Sequence, residues 1–98
     1  MTISKSLSGS SLTLALEGRL DTTTAPELEA ELKNSLDGVE TLTLDFSKLD
    51  YISSAGLRVL LSAHKKMSTA GGMKVTHVNE IVQEVFEVTG FSDILTIE

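Results

Sequence analysis

At 98 residues the chain is long enough for one hydrophobic core and too short for two. Fourteen acidic residues against eight basic ones leave a net charge of −6, which argues against binding a nucleic-acid backbone, and one Tyr, three Phe and no Trp leave no stacking platform for single strands. The absence of cysteine removes disulfides and thiolate metal sites and fits a reducing compartment.

No run approaches the ~18 apolar residues of a membrane span, and the start, MTISKSLSGSS, lacks the basic region and apolar segment of a secretory signal. The expectation is therefore a single domain over residues 1–98, cytoplasmic, binding neither membrane nor nucleic acid. Its partner should be a protein or a small molecule.

Residues 2–7 and 12–17 predict a hairpin: Leu12, Leu14 and Leu16 alternate with Thr13, Ala15 and Glu17, and Ser8-Gly9-Ser10-Ser11 is turn chemistry. Gly18-Arg19-Leu20-Asp21 leaves the strand. Thr24 followed by Glu27 has the capping-box pattern, with Pro26 tolerated in a first turn, so a helix starts near Ala25. Its apolar stripe is Ala25, Leu28, Leu32 and Leu36, and Asp37-Gly38 ends it.

Thr41 to Phe46 alternates again and predicts a strand with Leu42, Leu44 and Phe46 on one face. A second helix follows Ser53-Ser54, with Leu57, Leu60, Leu61, His64 and Met67 on one side and Gly71-Gly72 beyond its end. Met73 to Val78 reads as a strand. Asn79 can cap a third helix bearing Ile81, Val82, Val85 and Phe86, which Gly90 closes with Phe91 folding back on Phe86, and Ile94 to Ile97 is a terminal strand. The order β-β-α-β-α-β-α-β predicts an α/β domain with a mixed sheet, the hairpin antiparallel and the helix-linked strands parallel.

Ser53-Ser54 is the stretch with most chemical potential. Either hydroxyl could cap the second helix, and the free N–H groups and positive dipole end there would also stabilise a phosphate on one of them. If the strands before Asp21 and Ser53 are parallel neighbours, both loops emerge at one C-terminal edge, where open α/β sheets place their sites; Asp21 could equally just open a turn with Thr22 to Thr24.

No phosphate-binding P-loop or GxSxG motif is present. A serine nucleophile would need a base beside it, and His64, ten residues beyond Ser54 on the same helix, lies about 15 Å along the axis at ~1.5 Å per residue. His64 reads as a packed residue and His77 as a strand residue with a satisfied ring nitrogen. Two separated histidines make no metal site, and Asp45 and Asp50 read as strand-end and loop carboxylates rather than ligands of Mg²⁺.

Three segments carry a family resemblance. EGRLDTTTAPEL at 17–28, LTLDFSKLDYISSAGLRVLL at 42–61 and GGMKVTHVNEIVQEVFEVTGFSDIL at 71–95 resemble the STAS domain in its small form, the bacterial anti-sigma factor antagonists. The resemblance implies a STAS-like mixed sheet with helices packed on it, and puts the family's phosphorylated serine at Ser54, two positions before Gly56. Where family members commonly have an aspartate just before that serine this chain has Ser53, a rival acceptor or cap, and where they often have a second hydroxyl after it there is Ala55.

The same resemblance implies a partner switch. The unphosphorylated domain binds an anti-sigma factor that is also a serine kinase, so that a sigma factor is released; phosphorylation ends the binding and a PP2C-type phosphatase resets it. ATP and Mg²⁺ belong to the kinase, so this chain needs no cofactor and is a substrate rather than an enzyme, monomeric when free. The partner-binding residues expected are Asp21, Thr22, Ser53, Ser54, Gly56 and Arg58, although Arg58 alone reads equally as a solvated helix residue. The alternative is a module that binds a nucleotide or small anion in the loops Asp21–Thr24 and Ser53–Gly56 without covalent change.

Overall fold

The computed structural model describes residues Met1 to Glu98. Strands β1 (Thr2–Ser8) and β2 (Ser11–Leu20) form the antiparallel hairpin, with Leu7 opposite Leu12 and Ser8 opposite Ser11. Strands β3 (Thr41–Ile52), β4 (Met73–Thr76) and β5 (Thr96–Ile97) follow, each parallel to its predecessor, in the order β1-β2-β3-β4-β5. The links are helices α1 (Ala25–Ser35), α2 (Ser54–Met67) and α3 (Glu80–Thr89), the last followed by a 3₁₀ turn at Phe91–Asp93. The expected mixed α/β sheet and element order are both present.

One cluster of 24 apolar side chains forms the core. Leu12, Leu14 and Leu16 of β2 face the same way as Leu42, Leu44 and Phe46 of β3, because a parallel register sets Leu12 beside Leu42 and Leu14 beside Leu44. Leu28 of α1, Leu60 of α2 and Val82 and Phe86 of α3 close this face, each with no solvent exposure, and Phe86 lies 6.4 Å from Phe46 between ring centroids. Each such burial stabilises by about 1.5–3 kcal/mol before entropy is counted.

Both central strands run further than their alternation suggests. β2 continues through Gly18 to Leu20, and β3 continues past Phe46 to Ile52. The register slips between Ala15 and Glu17 and again between Gly18 and Arg19, each time with one extra residue on β3. These bulges turn the buried spacing of β3 from two to three, so that Leu49 and Ile52 still reach the core.

Several local expectations are corrected. Thr24 and Glu27 form no capping box: the Thr24 hydroxyl accepts from the Asp21 N–H at 2.8 Å and donates to the Arg19 carbonyl at 2.8 Å, turning back into the loop. On α2 the buried side is Leu57, Val59, Leu60, Ala63 and Met67, while Leu61 and His64 are only half-buried. The rotation follows from α1, whose Leu32, with Leu36 just beyond its end, borders a crevice with Val59 and Ala63, so α2 buries a wider stripe than a helix covered by the sheet alone. β4 stops at Thr76, and His77 lies in the following connection, with φ 58°, rather than in the strand.

The third helix ends as expected. Asn79 accepts from the Val82 N–H at 2.8 Å, and Gly90 takes φ 82°, a left-handed conformation that glycine adopts without a Cβ penalty. Phe91 packs against the core but opens the 3₁₀ turn, and the terminal strand shrinks to Thr96–Ile97 because Leu95 is drawn into the core.

Candidate functional site

The parallel pairing of β2 with β3 sets Leu20 beside Ile52, and the Ser53 N–H donates to the Leu20 carbonyl at 2.9 Å. The two chain exits are thereby stitched together, and the loops beginning at Asp21 and Ser53 share the C-terminal edge of the parallel strands. Gly56 makes this closure possible. A Cβ there would stand 2.7 Å from Leu20 Cγ and 2.9 Å from Ile52 Cγ1, so only glycine lets the first turn of α2 settle onto the ends of both strands.

Ser53 holds the N-cap position, with extended backbone (φ −102°, ψ 176°), and Ser54 is the first helical residue. The Ser53 hydroxyl makes no capping bond; its oxygen is buried without a partner. The Ser53 carbonyl accepts from Leu57 N–H at 3.0 Å, while the N–H groups of Ser54, Ala55 and Gly56 have no acceptor within the chain. The Ser54 side chain is exposed. An exposed hydroxyl thus stands at the positive end of a 14-residue helix whose first N–H groups are uncommitted.

Asp21 is tied into its own turn. One carboxylate oxygen accepts from the Thr23 hydroxyl at 2.8 Å, the Thr23 N–H at 3.0 Å and the Thr24 N–H at 3.1 Å, while the other lies 3.8 Å from Arg19 Nε. These bonds, led by the Thr23 hydroxyl, hold its pKa below the ordinary carboxylate value against a smaller effect of burial. The carboxylate is therefore charged and local, and it orders the loop whose tip carries exposed Thr22.

Thr22, Pro26 and Glu29 on one side and Ala55 and Arg58 on the other line a groove of about 360 Å³ between α1 and α2. Arg58 is exposed and has no ion-pair partner in the chain. Of the six residues expected at the partner surface, Asp21, Thr22, Ser53, Ser54 and Arg58 come together at this edge. Gly56 is the exception in kind: it is buried and supports the surface from below. The largest surface cavity, about 550 Å³, borders Ser11, Thr41 and Gly71 and takes in none of these residues.

Some contacts escape sequence reasoning. The Arg19 guanidinium lies 4.5 Å from the Tyr51 ring centroid, a pairing set by the second bulge, which brings Arg19 opposite Tyr51. Asn79 also donates to the Leu49 carbonyl at 2.8 Å. Asp45 accepts from the Ser47 N–H at 2.9 Å and stands 3.1 Å from His77 Nδ1; the Ser47 bond leads in lowering its pKa. Asp21 and Asp45 thus belong to separate networks, and His64, half-buried further along α2, does not approach Ser54.

A model of the STAS domain family matches residues 2–98. A Bordetella bronchiseptica protein named BtrV, described provisionally as an anti-sigma factor antagonist, is 40% identical over 88 residues, covering 88% of this chain and 76% of the relative. The anti-sigma-B factor antagonist of Bacillus subtilis is 28% identical over 83 residues, covering 84% and 76%. The solved structure of the anti-sigma factor antagonist SpoIIAA in its unphosphorylated form superposes with a TM-score of 0.84 at 17% identity, covering 99% of this chain and 88% of that one. The phosphorylated form of this Bacillus protein superposes at 0.76 and 16% identity, covering 99% and 91%.

The chain belongs to the STAS domain family. Its curated relatives carry the names of anti-sigma factor antagonists, and the chain shares its fold with SpoIIAA. No helix is long and apolar enough to cross a membrane.

Proposed function

We propose that this chain is an anti-sigma factor antagonist whose binding is ended by phosphorylation of Ser54. The observation that carries the proposal is the exposed Ser54 hydroxyl at the start of α2, beside three N–H groups without acceptors. The names of its relatives support the class of function, and the existence of phosphorylated and unphosphorylated SpoIIAA supports the means of control.

On this reading the unphosphorylated edge docks an anti-sigma factor that is also a serine kinase, through Asp21, Thr22, Ser53, Ser54 and Arg58 around the groove, and a sigma factor is released. The kinase supplies ATP and Mg²⁺. The γ-phosphoryl group passes to Ser54 Oγ, ADP leaves, and the hydroxyl proton is lost to a base of the kinase or to solvent. A PP2C-type phosphatase restores the hydroxyl. The chain itself is cytoplasmic, monomeric when free, and acts as ligand and substrate rather than as catalyst.

The physics of the switch is local. A phosphoserine adds about −1.5 to −2 charge at pH 7, which the helix N–H groups and dipole accommodate. Asp21 and the net charge of −6 oppose it, and because these terms partly cancel, the fold changes little while the docking surface gains bulk and negative charge. Desolvating such an anion against a surface built for a hydroxyl costs about 2–5 kcal/mol. Ser53 is the poorer acceptor because its oxygen is buried under the turn.

The test is incubation with the cognate kinase and ATP, followed by mapping of the modified residue by mass spectrometry. Phosphate on Ser54 is expected. Modification of Ser53 alone, or none by a kinase that binds the chain, would overturn the assignment.

A further inference from the structure

Helix α3 has two apolar faces. Val82 and Phe86 are fully buried, whereas Ile81, Val85 and Val88, at intervals of four and three, make a second stripe beside them. Ile81 is 59% exposed and Val88 79%, and Val85, half-buried, joins the stripe to the core. Single exposed apolar residues are ordinary on protein surfaces, but two in register on one helix make a continuous strip. Asn79 anchors this helix twice, to Val82 N–H and to the Leu49 carbonyl, so the strip is presented on a fixed element.

We propose that the strip is a docking surface for a partner protein presenting an apolar groove or helix face rimmed by Lys and Arg. Charge selects this occupant. Exposed Glu80, Glu84 and Glu87 flank the strip, and α3 contains no basic residue. A second copy would set these carboxylates against their own kind in a chain already at −6, and an anionic membrane surface is repelled for the same reason. The surface lies on a different helix from Ser54 and stands whether or not Ser54 is phosphorylated.

The test uses the full ¹⁵N-labelled chain and two amidated amphipathic peptides of about four helical turns, one of Leu and Lys, the other of Leu and Glu. The Leu/Lys peptide should shift the amides of α3 and bind at least about tenfold more weakly to Ile81→Ser/Val88→Ser, which removes apolar surface without changing charge. Glu84→Gln/Glu87→Gln should weaken it too, and the Leu/Glu peptide should leave the spectrum unchanged. The dispersion of the spectra reports that the variants fold. Shifts confined to other elements, equal affinity for wild type and the serine variant, or self-association of the wild type that Val88→Ser abolishes would each overturn the proposal.

Discussion

Gly56 lies so close to Leu20 that a Cβ on it would stand 2.7 Å from Leu20 Cγ. Gly56→Ala should therefore destabilise the domain despite the better helix propensity of alanine. Overpacking costs about 1–3 kcal/mol, offset by up to about 1 kcal/mol of propensity, for a net loss near 1–2 kcal/mol in urea unfolding. A neutral or stabilising result would show that α2 can lift off Leu20 and Ile52 at no cost.

The two N-caps should respond differently to alanine. Asn79→Ala removes the bond to Val82 N–H and leaves the Leu49 carbonyl without its donor, an expected loss of about 2 kcal/mol. Ser53→Ala removes a buried hydroxyl oxygen that makes no bond, and should leave stability unchanged or raise it. Equal losses in urea denaturation would contradict the geometry of the α2 cap.

That contrast marks what the sequence made legible. Alternating leucines at 12–16 and 42–46, the stripe of α1, Asn79 and Gly90 each act through near neighbours in the chain, so their roles can be read locally. The bulges of β3 depend on how two strands 30 residues apart align, and the change in buried spacing from Phe46 to Leu49 and Ile52 is their only sequence trace. Thr24 carries a strong capping pattern that loses to the Asp21 turn. The resemblance puts the acceptor at Ser54 but leaves open which serine caps α2, and the tertiary contact of Ser53 with Leu20 separates the N-cap residue from the exposed hydroxyl.

Acid should weaken the fold through Asp21 and Asp45. Both titrate below the ordinary value of 3.8, the first chiefly through the Thr23 hydroxyl and the second chiefly through the Ser47 N–H. A lowered folded-state pKa means that the unfolded chain takes up protons first as pH falls. The contribution is therefore present above the ordinary value and is lost as pH falls through the folded-state values below it. Urea unfolding from pH 7 downwards should show stability declining below about pH 4, with a shallower decline in Asp21→Asn/Asp45→Asn. Parallel curves for the two proteins would contradict these assignments.

Arg58 should act on binding and not on folding. It is exposed and unpaired beside the groove that holds Thr22 and Ala55, so Arg58→Ala should leave unfolding within about 0.5 kcal/mol of wild type. Binding to the anti-sigma factor should weaken by about tenfold if its charge meets the partner there. Unchanged affinity by calorimetry would remove Arg58 from the docking surface.

The central claim is that the state of one hydroxyl decides whether the partner binds. Its most direct test is calorimetric affinity for the cognate anti-sigma factor, measured on wild type, Ser54→Ala and the chain phosphorylated at Ser54. Ser54→Ala should bind within a few-fold of wild type, and the phosphorylated chain at least about 30-fold more weakly, the equivalent of the lower limit of the desolvation cost. Equal affinity of the phosphorylated and unphosphorylated chains would contradict the switch.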